Sequence, residues 1–505
     1  MKKQKRLILI LLIVVLLLGG VLAALLLTGS DEDASDAVSS ELSEEDTSLI
    51  THEEGDIVTI NVKNTYGSFS FYPTLVDIDE ESSDSSNTDT TATYTYNLEG
   101  YEDRNVNTST LSTAAMAFYD LDYTKEIGEV EDESAFGFDG SIVASCVYKD
   151  GSAESFEIGD APSSGTGRYI KYNGKVYIAS INTTYTNSLE SLITAASWDI
   201  DYLTREVESS ESSSESSTDS SSESSSTTTT ENYSILESFK VGGTCNSAGV
   251  EITYDSDSET YKLVSPIKAD ANSDKVETLI SSLLNYSANA TVDLDPTDEK
   301  LKEYGLDDLY ATLEIKLNGE SHKIVIGGQT DSSRYCRIDD DKTVYTILTS
   351  KISDWAECNA SEYRASSVLT DSLSDISGLK LTVDGKSSEI TITREEDESS
   401  STDSKVYYSY SSYADGDEIL YSYVNELYSK LSSMAVLNIN EMQHESDAYV
   451  TAEISFFDGS SKKIEIYLSS ENNSRYVIYV DGEYSCTVRS TSLKEFTDEF
   501  SEFLG

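Results

Sequence analysis

The sequence predicts an α+β chain. One N-terminal transmembrane helix precedes three tandem β-rich units, each of about seven strands in antiparallel hairpins and two helices. Three observations lead there. An uncharged run of 21 residues, Leu7 to Leu27, stands near the N-terminus. Polar tracts rich in Ser, Asp and Glu break up the remainder. An Arg-Tyr pair recurs at Arg168-Tyr169, Arg334-Tyr335 and Arg475-Tyr476, each time opening the last hairpin of a similar succession of strands.

The apolar run comes first. As a helix it would be ~32 Å long, matching the ~30 Å hydrocarbon core of a bilayer. Lys2, Lys3, Lys5 and Arg6 precede it and acids follow it. Positive charge stays cytoplasmic, so residues 1–6 read as a cytoplasmic basic tail, 7–27 as the span, and 28–505 as extracytoplasmic. A cleaved signal peptide is the competing reading. Its apolar core would be shorter, roughly 7–15 residues, with a small-residue cleavage site after it. No cysteine occurs before Cys146, so a lipoprotein anchor is excluded.

The chain of 505 residues carries a formal charge of −57, all of the excess lying beyond the apolar run. Such a surface repels phosphate backbones, which argues against nucleic acid as a partner. It also repels anionic lipid, so the part outside the span should stand off the membrane. The five cysteines, Cys146, Cys245, Cys336, Cys358 and Cys486, are dispersed and form no CxxC pair. That argues against a zinc site and a disulfide framework. Cys146, Cys336 and Cys486 lie in strand-like runs, where free cysteine acts as a small hydrophobe. A Cys336–Cys358 bridge stays open at this point.

Residues 28–55 read as an acidic stalk and 207–232 as a Ser-rich disordered linker, because neither can bury enough apolar area to offset ordering entropy. Between them lie unit one (56–206), unit two (233–370) and unit three (371–505). Unit two shows the pattern most plainly. ILESFKV opens it, the hairpin GVEITYD/TYKLVSP follows, and a helix is expected over 271–288. Val276, Leu279, Ile280, Leu283 and Leu284 share one face of that helix, with Ser273 or Asp274 as N-cap. EYGLDD (303–308) is a turn. Two hairpins then turn at Asn318-Gly319 and at Asp339–Asp341, and a short helix near 349–357 closes the unit. Unit one repeats this with helices over 108–120 and near 185–197 and with SAFGFDG (134–140) in place of EYGLDD. Unit three repeats it with a helix over 417–434 and the closing SLKEFTDEFSEFL. The polar tracts 79–93 and 395–404 fall at the tip of the early hairpin of their units, where insertions cost least.

YKLVSPIKADANSDKVETLISSLLNYSA, then KEYGLDD, then KIVIGGQTDSSRYCRIDDDKTVYTI resembles the bacterial family filed as domain of unknown function 4340. The matching positions are Tyr261, Leu263, Pro266, Tyr304, Gly305, Leu306, Asp307, Ile326, Gly327 and Tyr335. Tyr261 stands where the family usually has a preceding Trp, and Asp308–Leu309 where it has Pro. The likeness is good over roughly 235–370. It implies an N-terminal membrane helix, no established activity, and an envelope accessory role beside ABC-type export permeases.

The residues themselves assign no catalytic, cofactor-binding or metal-binding position. His52, His322 and His444 have no partner at metal-ligand spacing, and His322 reads as a solvent-facing strand residue. HExxH, GxSxG, GxGxxG and the Walker loop are absent. Asp255/Asp257/Glu259 and Asp293/Asp295/Asp298 hint at calcium but lack the Gly and Glu of an EF-hand loop. The Arg-Tyr pairs read either as core tyrosines beside edge arginines or as a shared ligand contact. No cofactor is expected. The expected function is a membrane-anchored envelope scaffold without enzymatic activity, partnered by envelope proteins or an ABC-type permease. A glycan-binding adhesin, using exposed tyrosines, and a carboxylate-based hydrolase are the alternatives.

Overall fold

A computed structural model describes residues 47–76, 92–163, 165–209, 227–397, 401 and 406–504. Three separate sheets of nine antiparallel strands dominate it. Among the described residues strand amounts to 47 % and helix to 20 %, so the fold is mostly β and not α+β. Residues 7–27 lie outside the described residues. No helix among those described is long and apolar enough to cross a membrane.

The second and third sheets share one topology, and the first follows it except that it lacks the short strand at one edge and gains Ser48–Thr51 at the other; the second shows it best. Its first strand, Leu236–Gly242, lies mid-sheet. On one side it pairs with Val250–Asp255, which pairs with Thr260–Ser265. On its other side lies Ala311–Leu317, followed in order by Glu320–Thr330, Ser333–Ile338 and Val344–Leu348. Ala311, Leu313, Ile315 and Leu317 alternate with more exposed neighbours, the period of a strand that buries one face. The Asn318-Gly319 turn has φ of 51° and 88°, the left-handed pair a two-residue hairpin needs.

The sequence reading counted seven strands per unit because two short ones adjoin the helix. In unit two, Ala269–Asp270 and Ala290–Asp293 pair at opposite edges of the sheet. In unit three, Asp417–Ile419 and Val436–Asn438 do the same. Of these four, only Asp417–Ile419 takes residues from an expected helix; Asn285–Ser287, at the end of the 271–288 stretch, is likewise a strand. The 271–288 helix is Ser273–Leu283, capped by the Asn272 side chain on the Lys275 amide. The 417–434 helix is Tyr421–Ser432, because Asp415-Gly416 turns the preceding chain back into the sheet. The helix expected near 185–197 is two short 3₁₀ turns, Thr183–Thr186 and Leu189–Leu192. Its Thr and Asn residues favour caps and turns over helix interiors.

Helices cover one face of each sheet. Val276, Leu279, Ile280 and Leu283 meet the strand residues Phe239, Ile252, Leu263 and Ile315 in one core, joined by Ile352 and Trp355 of the closing helix Thr349–Ala356. In unit three Tyr421–Ser432 and the terminal helix Ser490–Phe503 pack together over the sheet, burying Leu427, Leu431, Phe496 and Phe500. Burying a side chain of this size is worth about 1.5–3 kcal/mol. Cys146, Cys336 and Cys486 are fully buried in these cores. All five cysteines are free, so the Cys336–Cys358 bridge is not formed.

The unit boundaries are more interwoven than the polar tracts suggest. The expected stalk ends earlier: Ser48–Thr51 pairs with Asp120–Gly128 because Ile50 is apolar enough to enter the first core. The ends of the expected linker form an antiparallel ribbon, Leu203–Ser209 with Thr227–Tyr233. Thr is a good strand former, and an Arg205–Glu231 ion pair of 2.8 Å crosses the ribbon. Just before it, Ser197–Asp199 pairs with Asn285–Ser287 and inserts Trp198 and Ile200 into the second core. Trp198 donates Nε1–H to the Leu283 carbonyl at 2.7 Å and stacks on Tyr286 at 4.9 Å. Trp198→Ala should therefore destabilise the second unit by about 3–5 kcal/mol. Urea unfolding of the two chains measures it; matching midpoints would show that the insertion is dispensable.

Candidate functional site

The residues singled out in the sequence do not converge. His52 stacks on Tyr148 at 3.9 Å in unit one. His444 lies against Tyr467 and Tyr479 in unit three. His322 is not solvent-facing: its side chain is 14 % exposed, stacked at 4.4 Å and 11° on Trp198, with Nδ1 3.0 Å from Asp339. Trp198 comes from unit one, so no pattern within the hairpin could have revealed it. Both calcium hints are spent on local structure. Asp255 accepts the Asp257 amide and the Ser258 hydroxyl, and Asp293 accepts the Asp295 amide and the Tyr304 hydroxyl. Among the described residues no group of three or more His, Cys, Asp or Glu is arranged to hold a metal ion.

The Arg-Tyr pairs turn out to be pins. Arg168 Nε donates to the Gly159 carbonyl at 2.9 Å and Arg334 Nη1 to the Gly327 carbonyl at 3.1 Å. Gly159 follows the preceding strand Ala153–Ile158, and Gly327 lies at the register irregularity within Glu320–Thr330. Tyr169 packs on Phe136 and Tyr335 on Tyr304, the aromatics just before the glycine of each turn motif. The turn rests on the strand backbone: the Gly328 amide donates to the Tyr304 carbonyl at 2.7 Å, and the Asp160 amide to that of Phe136 at 2.8 Å. A Cβ on Gly327 would stand 2.6 Å from the Tyr304 oxygen. Gly305 needs its φ of 67° to make this approach. Unit three lacks the Gly-Leu-Asp turn. There Tyr449 supplies the ring beside Tyr476, and Arg475 Nη1 donates to the carbonyl and the hydroxyl of Ser474 beside it.

The functional candidates are the junctions between units. Between units one and two, Arg104 Nη1 lies 2.5 Å from Asp341 Oδ2. Asp341 also accepts the Tyr345 hydroxyl at 2.6 Å and the Thr343 amide at 3.0 Å. Burial pushes the Asp341 carboxyl up, but Arg104, Tyr345 and Thr343 outweigh it and hold the carboxyl well below the usual carboxylate range.

Between units two and three lies a cavity of about 380 Å³. Its polar lining includes Lys262, Lys268, Asp270, Arg364, Lys462 and Ser485. Lys262 holds Asp270 at 2.6 Å, and the Thr370 hydroxyl adds a second bond of 2.6 Å. Burial opposes the Asp270 charge; the bonds from Lys262 and Thr370 prevail and lower its pKa. Lys462 pairs with Asp371 at 2.5 Å, and Lys268 with Glu483 across the junction at 2.6 Å. Arg364, only 3 % exposed, donates Nη1–H to the Ala365 and Ser367 carbonyls and Nη2–H to Ser485 Oγ of unit three, while Nε has no partner. A buried cation facing only neutral acceptors costs several kcal/mol of desolvation. Sequence reading passed over Arg364 because the partner that matters is 121 residues away and nothing in EYRASS signals burial.

Residues 262–453 match the family described as Domain of unknown function (DUF4340). That stretch belongs to the family. The DUF4340 segment starts inside unit two, holds the Tyr304-Gly305 turn and Arg364, and runs on into unit three; Lys462 and Ser485 lie past its end. It thus crosses the second junction, beyond the 235–370 over which the sequence likeness is good. No curated protein and no solved structure matches the chain.

Two outcomes follow for the DUF4340 turn and the first junction. Gly327→Ala should destabilise the second unit by about 1–3 kcal/mol through the clash with Tyr304, read by thermal melting; an unchanged melt would show that the turn yields freely. Asp341→Asn should cost about 1–3 kcal/mol at neutral pH. Because the folded carboxyl is depressed, its contribution is complete above the ordinary value of about 4 and is lost as pH falls below it. Melts from neutral pH into acid should show a constant gap between parent and variant that closes below about pH 4. A gap independent of pH would contradict the Arg104–Asp341 assignment.

Proposed function

We propose that the chain is an extracytoplasmic scaffold of the bacterial envelope, held to the membrane by residues 7–27 and working as an accessory to an ABC-type export permease. The single observation that supports a scaffold best is that side chains cross both unit junctions. Trp198 and Ile200 of the first unit complete the second core, Arg104 is bound to Asp341, and buried Arg364 is bonded to Ser485. Units tied in this way present their surfaces to a partner in a fixed relation instead of as beads on a string.

The sign of the charge supports the placement. Four cations stand before the uncharged run and the acidic remainder follows it, an asymmetry that keeps the N-terminus cytoplasmic and the units outside. The same acidity disfavours nucleic acid and holds the units away from anionic headgroups. The partner would be protein, and on this reading the chain performs no catalytic step. The permease itself is suggested by the resemblance to domain of unknown function 4340.

Cross-linking in intact cells, followed by affinity recovery of the full chain from the membrane fraction, tests the proposal. Permease subunits should be enriched over a mock-tagged control. Recovery of the chain from the soluble cytoplasmic fraction, or from membranes with no envelope partner, would refute it.

A further inference from the structure

The cavity between the second and third units combines a buried cation with an apolar wall. We propose that it binds a small amphiphilic carboxylate, with the acidic group on Arg364 and the hydrocarbon body against Leu263, Val368, Leu369 and Val480. This inference stands on the cavity alone and does not rest on the scaffold reading.

Charge identifies the acidic group. Each of the three lysines at the cavity already has a carboxylate of its own: Lys262 has Asp270, Lys462 has Asp371 and Lys268 has Glu483. Arg364 is the fourth cation and has only neutral acceptors. One positive charge is therefore left over, on the most buried of the four side chains, in a chain whose formal charge is −57. The unpartnered Nε marks the same group as lacking an acceptor. Guanidinium presents paired donors in the geometry of a carboxylate. A single surplus charge matches a monoanion, and a phosphate dianion would exceed it.

The wall identifies the rest of the ligand. Leu263, Val264, Ala269, Val368, Leu369 and Val480 line the cavity beside those charges. Inorganic anions gain nothing from such a surface, whereas a hydrocarbon chain is removed from water there. The volume of about 380 Å³ lies within the range of small-molecule pockets, about 300–1,000 Å³.

The test is titration calorimetry of the purified full-length chain in lipid nanodiscs, with empty discs as reference. The probes are octanoate, octanol and inorganic phosphate. Octanoate should bind saturably at one site, with octanol and phosphate each at least about tenfold weaker. Arg364→Gln should weaken octanoate by a similar factor. Because Arg364 also ties the units together, Val264→Glu is the second variant. Val264 is 37 % exposed at the cavity, so the added carboxylate should repel octanoate while leaving the melt unchanged. Equal affinity for octanoate and octanol, preference for phosphate, absence of saturable octanoate binding, or undiminished binding by a folded Val264→Glu chain would each overturn the proposal.

Discussion

A nine-stranded antiparallel sheet with only one apolar face has to be covered, and that requirement organises the chain. The helices Ser273–Leu283 and Tyr421–Ser432 come between the third strand of each sheet and its later hairpins, where they can fold back over the strands already laid down. A closing helix, Thr349–Ala356 or Ser490–Phe503, covers what remains. Unit one has only short 3₁₀ turns at that place. Tyr185, fully buried and donating its hydroxyl to the Ala114 carbonyl at 2.6 Å, fills the space there. The three units thus meet one demand with different side chains.

Much of this was legible in the sequence because strand and hairpin signals are local. Alternating residues such as Ala311–Leu317 and the Asn318-Gly319 turn carry their own instructions. What was missed depends on pairing at a distance. The two-residue strand Ala269–Asp270 has no period to read, and it exists because Thr260–Ser265 offers a free edge. The helices were drawn too long because apolar residues beside a helix, such as Leu284 and Tyr286, are buried by the sheet and the Trp198 insertion and not by helical periodicity.

The junctions were the least legible part, for the same reason. Arg104 and Asp341 are 237 residues apart, and the Asp339–Asp341 turn signal says nothing of a partner in another unit. His322 looked like an exposed strand residue until Trp198 of another unit was laid across it. The recurring motifs, by contrast, proved to be internal carpentry. The aromatic-Gly turn sits against a glycine of the neighbouring hairpin because only hydrogen at Cα permits that approach. A motif that repeats within one chain therefore reported how each unit is built, whereas the cavity, which the repeated Arg-Tyr and aromatic-Gly motifs do not line, lies where two units meet.

The Ser-rich tract takes on a different character in this light. The chain has already crossed into the second unit at Ser197–Asp199 before the tract begins. It leaves and returns through the paired ends Leu203–Ser209 and Thr227–Tyr233. The tract is therefore a side branch and not a hinge. Doubling its length would add only about 0.6 kcal/mol of loop-closure entropy, and the spacing of the first two units would not change. Its size and composition can drift, or carry bulky modifications, without mechanical consequence for the spacing of the units.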